Sequence, residues 1–449
     1  MYQYDVTFIG SGHASWHAAI LLRKFGKKVA IIESDLTAGT CTNYGCNAKF
    51  LLESPFEYLD GLSRYEKAGI ATSGHISWEK LMDYKKEEIN SYAPAMEQLF
   101  AAQGIDLIKG KGHLIDDHTV GVDKQEITSD KIVIATGQRS ARLNVPGNEQ
   151  FHDSRDFLSL DKMPKRMTII GAGIISLEFA TMATKLGTEV HIIEFGDRAL
   201  AAYPKDYVQT IVDTLTEEGT VFHFNEAVTQ ATVLDDGSYV VKTDSGLTVE
   251  TDYILDATGR IANTEDLGLE ALGIETDRGG IVVNDHLQTA VPNIFASGDV
   301  VSKKIPKLTP TATFESNYIA SVILGNSDPI QYPAIPNVVF TMPRLSQVGV
   351  TNDEAKAHPD DYRVVDIPFG QQLKFQTKLE ENAKLTLVIG RDKTLKGATM
   401  LGGEAGEMVN LLTLIINQGL GAKELNAMIF AFPGVSSGVL TSLIQALNE

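Results

Sequence analysis

One glycine-rich unit occurs twice in this chain. Tyr4 to Ile9 reads as an apolar-rich strand, followed by Gly10-Ser11-Gly12-His13-Ala14-Ser15, a helical pattern from Trp16 to Phe25 and a strand from Val29 to Ile32 that ends at Glu33. The same layout returns in Met167 to Ile170, Gly171-Ala172-Gly173-Ile174-Ile175-Ser176, a helix, and a strand from Glu189 to Ile193 that ends at Glu194. In both copies the acid stands 23 residues after the first glycine. A βαβ unit that holds a dinucleotide needs this arrangement. The first glycine makes the tight turn, the second lets the backbone approach a pyrophosphate, and the helix N-terminus receives its charge. The acid accepts hydrogen bonds from a ribose. Ser15 takes the third position, as Ser176 does in the second unit, and a small residue there keeps helix–strand packing close. Each unit is followed by a strand ending in the same tripeptide, Ala135-Thr136-Gly137 and Ala257-Thr258-Gly259. This recurrence predicts two nucleotide-binding domains in an α/β fold.

The 449 residues leave room for about one more domain. Between the units, Trp78 to Ala102 reads as a long helix and Gly110 to Thr128 as short strands and turns. Pro146-Gly147 marks a crossing between domains. Pro292 to Val300 reads as a strand ending in Gly298-Asp299, and Pro333 to Pro336 as a second boundary. Beyond it, strands (Val338 to Thr341, Leu385 to Ile389) mix with a helix, Glu404 to Gln418. The net charge of −19 repels phosphate backbones and anionic lipid heads, so neither nucleic acid nor a membrane surface is an expected partner. The N-terminus has no basic region before its first strand, and no apolar run approaches bilayer length. A cytoplasmic protein is the expectation.

The chain has only two cysteines, in Gly39-Thr40-Cys41-Thr42-Asn43-Tyr44-Gly45-Cys46. Two buried structural thiols are one reading. Metal ligation is another, but no second Cys or His pair accompanies them. A pair this close at the start of a helix suits a reversible disulfide, because a helix N-terminus stabilises a thiolate.

With these residues in place, the sequence resembles the FAD-dependent pyridine nucleotide–disulfide oxidoreductases, such as glutathione reductase, dihydrolipoamide dehydrogenase and mercuric reductase. The resemblance rests on both nucleotide units, Cys-x4-Cys and both Ala-Thr-Gly strands. It extends to Gly259-Arg260 with Asn263, Phe295-Ala296-Ser297-Gly298-Asp299, Leu308-Thr309-Pro310 and Val338-Val339-Phe340-Thr341. It implies two Rossmann-like domains plus a C-terminal α+β dimerisation domain. The FAD domain would take residues 1–145 and 273–332, the NAD(P) domain 146–272 and the interface domain 333–449. FAD would lie on Gly10, Gly12, Ser15, Glu33, Thr40, Thr136, Gly137, Gly298 and Asp299. NAD(P)H would lie on Gly171, Gly173, Ser176, Glu194 and Gly259. The resemblance assigns Cys46 to the thiolate facing the flavin and Cys41 to the exchanging thiol, in a homodimer whose active sites are completed by the partner subunit. Glu194 favours NADH, since a carboxylate repels a 2′-phosphate, whereas Arg198 four residues later is placed to attract one.

Two departures from the family stand out. The usual Cys-x-Pro-Ser-Lys reads Cys46-Asn47-Ala48-Lys49-Phe50. The lysine comes one residue early, which rotates it roughly 100° on a helix, and whether Lys49 reaches its family partner, matched by Glu178, is open. The C-terminal His-Pro-Thr-x-x-Glu motif reads Phe432-Pro433-Gly434-Val435-Ser436-Ser437. Phe432 replaces the acid histidine and Ser437 the glutamate that orients it. No later histidine substitutes, since the last one is His358. The family's 2-oxopropyl-coenzyme M oxidoreductase/carboxylase shares the phenylalanine.

His13 and His17 flank Trp16 and read as flavin-site groups or as plain helix residues. Tyr44 reads as a proton donor or a packing residue, and Lys303 to Lys307 as cofactor contacts or a solvated loop. Three functions follow: an atypical reductase of disulfides or other electrophiles, a carbon–sulfur lyase/carboxylase, and an NADH-responsive sensor or electron-transfer module. No metal site is expected.

Overall fold

The computed structural model describes all residues, 1–449. Its first sheet runs in the order Asp106–Lys109, Val29–Glu33, Tyr4–Ile9, Gln125–Ile134, Thr119–Val122, Gly112–Leu114, with Ile294–Ala296 also paired to Gln125–Ile134. Phe8 stands in parallel register with Ile31 on one side and Val133 on the other. Every residue of Val29–Glu33 is buried, as a parallel strand covered on both faces requires. Gln125–Ile134 is long because it pairs twice. Gln125 to Thr128 runs antiparallel to Thr119–Val122, and Ser129 to Ile134 runs parallel to Tyr4–Ile9. The helices Trp16–Lys24 and Thr309–Ile323 pack through Ala18, Ala19, Leu22, Ile319 and Ala320.

The second sheet is parallel throughout, in the order Val221–Phe224, Glu189–Glu194, Arg166–Ile170, Tyr253–Asp256. Its helix Ile174–Lys185 is buried without a break from Ser176 to Thr184. A helix apolar all round needs cover all round. The sheet covers one side, and Leu52, Phe56, Trp78 and Met82 of the helices Cys46–Lys67 and Trp78–Gln103 cover the other.

The third sheet has five antiparallel strands in the order Asn337–Val339, Leu345–Gly349, Leu395–Leu401, Lys384–Gly390, Tyr362–Ile367. Leu385, Leu387 and Ile389 pack under Val409, Leu412 and Ile415 of the helix Ala405–Gln418 and Val439, Leu440 and Leu443 of the helix Val435–Asn448. No helix is long and apolar enough to cross a membrane.

Two expected strands are shorter than the sequence pattern suggests. Of Pro292 to Val300 only Ile294–Ala296 is strand; the chain then turns into a single helical turn, Gly298–Val300, with Gly298 at φ 77°. The strand expected from Val338 to Thr341 is Asn337–Val339. Phe340 leaves the ladder because its amide is used elsewhere, on Glu178.

Candidate active site

The two glycine turns are built alike, and the duplicated tripeptide explains why. Gly10 has φ 105°, and a Cβ there would stand 2.3 Å from the Ala135 carbonyl oxygen. Gly171 has φ 95°, and a Cβ there would stand 2.8 Å from the Ala257 carbonyl oxygen. Each Ala-Thr-Gly strand therefore presses its alanine carbonyl against the first glycine of its own unit, and only glycine fits. Both acids hold their turns in the same way. Glu33 accepts from the Ser11 amide and hydroxyl through Oε2 and from the Asp35 amide through Oε1. Glu194 accepts from the Ala172 amide (2.7 Å) and the Gly196 amide (2.7 Å). The amides of Gly12, His13 and Ala14 have no partner within the protein. Unpaired amides at a helix start beside a glycine turn suit a diphosphate, so these residues fit a dinucleotide. Ser15 is fully buried and donates to the Gly10 carbonyl, whereas the buried Ser176 hydroxyl has no partner.

The cysteine segment is seated on this cradle. A Cβ on Gly39 would lie 2.8 Å from the Gly12 Cα, so the short helix Gly39–Asn43 touches the glycine turn directly. Thr40 on that helix is exposed, and Cys41 is half-buried. Cys46 opens the next helix, Cys46–Lys67, and both cysteines are free thiols here. Cys46 Sγ lies 3.4 Å from the hydroxyl of Thr309, at the start of the helix Thr309–Ile323. The Cys41 thiol, the Thr309 hydroxyl and the nearby Lys49 charge each favour the ionised form of Cys46. Together they bring the thiol of the exposed Cys46 down to about 6. The hydrogen bond between the two cysteines, with burial and the Cys46 charge, pushes Cys41 far up. The two shifts run in opposite directions, so Cys46 is the cysteine that ionises first. Thr309 belongs to the Leu-Thr-Pro motif, but nothing in the sequence marks its hydroxyl as a thiolate partner 263 residues away.

Lys49 reaches Glu178. Its Nζ lies 3.6 Å from Glu178 Oε2 and 3.2 Å from the centroid of the Phe340 ring. The long lysine stem absorbs the one-residue shift. Burial pushes the Glu178 carboxyl up, and Lys49 and the Phe340 amide oppose that shift.

Residues 4–316 match the family model described as pyridine nucleotide–disulphide oxidoreductase, and residues 335–443 match its dimerisation domain. The chain belongs to that family. It is 31% identical to a dihydrolipoyl dehydrogenase of Bacillus subtilis over 96% of this chain and 93% of that protein. It is 34% identical to dihydrolipoyl dehydrogenase 3 of Pseudomonas putida over 91% of each. Among solved structures it is similar to the HOCl-induced flavoprotein disulfide reductase RclA of Escherichia coli, with TM-score 0.88, 27% identity and 98% of this chain and 99% of that one covered. It is similar also to RclA solved as a Cu(II) complex, with TM-score 0.87 and 27% identity over 97% and 98% of the two chains. The chain is a FAD-dependent NAD(P)H oxidoreductase acting on sulfur groups.

Other family positions have hydrogen-bond partners within the chain. The Thr136 hydroxyl donates to the Asn263 carbonyl, and Asn263 returns a bond to the Thr136 carbonyl. The segment after Gly259 thereby crosses back to the first unit, where Arg260–Ala262 pairs with Gln138–Ser140. Gly137, at φ 67°, turns the chain into that pairing. Asp299 Oδ2 accepts from Gln138 at 2.9 Å. Lys303 and Lys307 are not a solvated loop. Lys303 pairs with the fully buried Glu315, which also accepts from the Gly298 amide and Tyr332, while Lys307 donates to the Asp299 carbonyl. Tyr44 donates to Asp35 beneath the Arg155 guanidinium, which makes it a packing residue. Arg198 donates to the Tyr203 carbonyl at 3.0 Å and to the Ala201 carbonyl, so its own loop holds it.

At the C-terminus, Phe432 is 81% exposed, whereas Ser437 is buried and donates to the Gly434 carbonyl at 2.8 Å. Ser437 therefore orients nothing at position 432. It closes the first turn of its own helix.

Proposed function

We propose that Cys41 and Cys46 relay electrons from NADH, through FAD, to a small disulfide, thiol-linked or other electrophilic acceptor, without a histidine acid. Bound FAD accepts hydride from the coenzyme and passes two electrons on. The observation that carries the reading is where the pair is seated: the Gly39–Gly12 contact brings it to the dinucleotide cradle, and Cys46 Sγ lies 3.4 Å from the Thr309 hydroxyl. Cys41, Thr309 and Lys49 all favour ionisation of Cys46. Cys41 is the residue that exchanges with an acceptor, once its proton has passed to Cys46 or to solvent and left it a thiolate. In this reading Gly10, Gly12, Ser15 and Glu33 hold the FAD diphosphate and adenosine, with Thr40, Gly137, Gly298 and Asp299 along the rest of the cofactor. Gly171, Gly173, Ser176 and Glu194 hold the coenzyme.

The exposed Phe432 ring belongs to a homodimer, in which it projects toward the cysteine pair of the partner and makes that pocket dry. A phenyl ring supplies no proton, so an acceptor whose leaving thiolate needs one is reduced slowly. Acceptors that need none are favoured. The solved Cu(II) complex of RclA supports placing metal ions among them. The balance is simple: two Cu(II) become two Cu(I), the Cys46 thiolate and the Cys41 thiol become a disulfide, and one proton leaves.

The test is anaerobic NADH consumption with lipoamide, glutathione disulfide, thioethers, quinones, Cu(II) and Hg(II). Metal ions are expected to turn over faster than either disulfide. Lipoamide reduction at about 10 per second or more, a typical enzyme rate, would overturn the proton-poor reading.

A further inference from the structure

The side chains of Lys49 and Glu178 are withdrawn from water, only 13% and 8% exposed, yet the 3.6 Å between them is too long for a hydrogen bond. The closer contact of the ammonium is with an aromatic face. Lys49 Nζ stands 3.2 Å from the centroid of the Phe340 ring, well inside the roughly 6 Å over which a ring attracts a cation. That attraction is largest where both groups are desolvated.

Phe340 is bound to the pair twice. Its amide donates to Glu178 Oε1 at 2.9 Å, while its ring carries Lys49. The ring is itself fixed. Phe50 meets it at 6.3 Å and 80°, and the Arg344 guanidinium stands 5.3 Å from its centroid. Glu53 and Glu57 each pin Arg344 at 2.9 Å. They follow Lys49 by four and eight residues on the helix Cys46–Lys67, so one helix face meets Phe340 and Arg344 together. Cys46 precedes Lys49 by three residues and shares its side of the first turn. A ring face accepts a cation over a broader area than a carboxylate lone pair does, so it can hold a lysine that comes one residue early.

We propose that Phe340 is a positioning residue of the redox centre: its ring, supplied by the dimerisation domain, seats the Lys49 ammonium beside Glu178 and on the Cys46 side of the helix. The proposal rests on the reading of Cys46 as the working thiolate, whose ionisation the Lys49 charge favours.

The test compares Phe340→Leu, which keeps the amide and the apolar bulk without a ring face, with Phe340→Tyr, which keeps the face. Ultraviolet thiolate absorbance is followed against pH in the reduced, FAD-loaded protein. Lys49→Met should raise the Cys46 midpoint by about one unit, the low end for an opposite charge beside an acid. Phe340→Leu should raise it as far, and Phe340→Tyr should keep the wild-type value. Adding Phe340→Leu to Lys49→Met should move it no further, because the ring acts through the ammonium. Unchanged flavin content shows that the fold is kept. A wild-type midpoint in Phe340→Leu or in Lys49→Met overturns the proposal. So does an additive shift in the double variant, or a Phe340→Tyr protein that behaves as Phe340→Leu. Uptake of electron pairs per FAD by the same variants reads the relay separately, so the two readings can fail apart.

Discussion

Lys49 and Glu178 join two nucleotide units across 3.6 Å, and the same carboxylate accepts from the amide of Phe340 at the edge of the third sheet. Three parts of the chain thus converge on one buried acid. Lys49→Met should leave that acid without its cation and destabilise the protein by about 3 kcal/mol, the lower end for breaking a buried pair. The carboxyl is pushed up by burial, so the folded state holds more protons than the unfolded one. That contribution to stability is full below the ordinary carboxylate range and falls as pH rises through the raised folded pKa. Lys49→Met should push the fall to higher pH. Thermal unfolding of both proteins across pH checks this; superimposable profiles contradict it.

Cys46 should ionise near pH 6 in the reduced protein, with Cys41 silent to well above neutrality. Thr309→Val removes one donor to the thiolate. A hydrogen bond to a charged group is worth about 1.5 kcal/mol, so the midpoint should rise by about one pKa unit. Ultraviolet thiolate absorbance against pH measures it. A wild-type midpoint at the ordinary thiol value excludes Cys46 as the cysteine that ionises first.

NADH should be preferred over NADPH. The Glu194 carboxylate closes the second glycine turn, and Arg198 is tied to carbonyls of its own loop rather than free to meet a phosphate. Glu194→Gln should reduce the ratio of the two kcat/KM values by about 10- to 100-fold, the worth of roughly 1.5–3 kcal/mol of charge-assisted bonding. Flavin reduction rates with each coenzyme decide it.

Phe432→His with Ser437→Glu should raise disulfide reduction, at most by the roughly 10²–10⁴-fold of general acid–base catalysis. Phe432→His alone should gain less, because the native Ser437 points inward to Gly434 and orients no imidazole. Equal rates for the single and double variants in steady-state lipoamide assays contradict the pairing.

The parts of this molecule that repeat a spacing were legible in its sequence. Gly10 with Glu33 and Gly171 with Glu194 follow from local steric demands of a βαβ turn, and so did most strands of both parallel sheets. Contacts set by tertiary approach were not. Thr309 meets Cys46 from 263 residues away, and Lys49 reaches Glu178 only because a flexible stem offsets its shifted register. Lys303 read either as a cofactor contact or as part of a solvated loop, and it is paired in the interior with Glu315. Ser437 matched a family glutamate by position but serves its own helix start.

The most direct test of the electron relay is anaerobic reduction of the flavin-loaded protein by stepwise NADH or dithionite. The account predicts uptake of two electron pairs per FAD, one for the flavin and one for the Cys41–Cys46 disulfide. Cys46→Ser should take only one pair. Uptake of a single pair by the intact protein contradicts it.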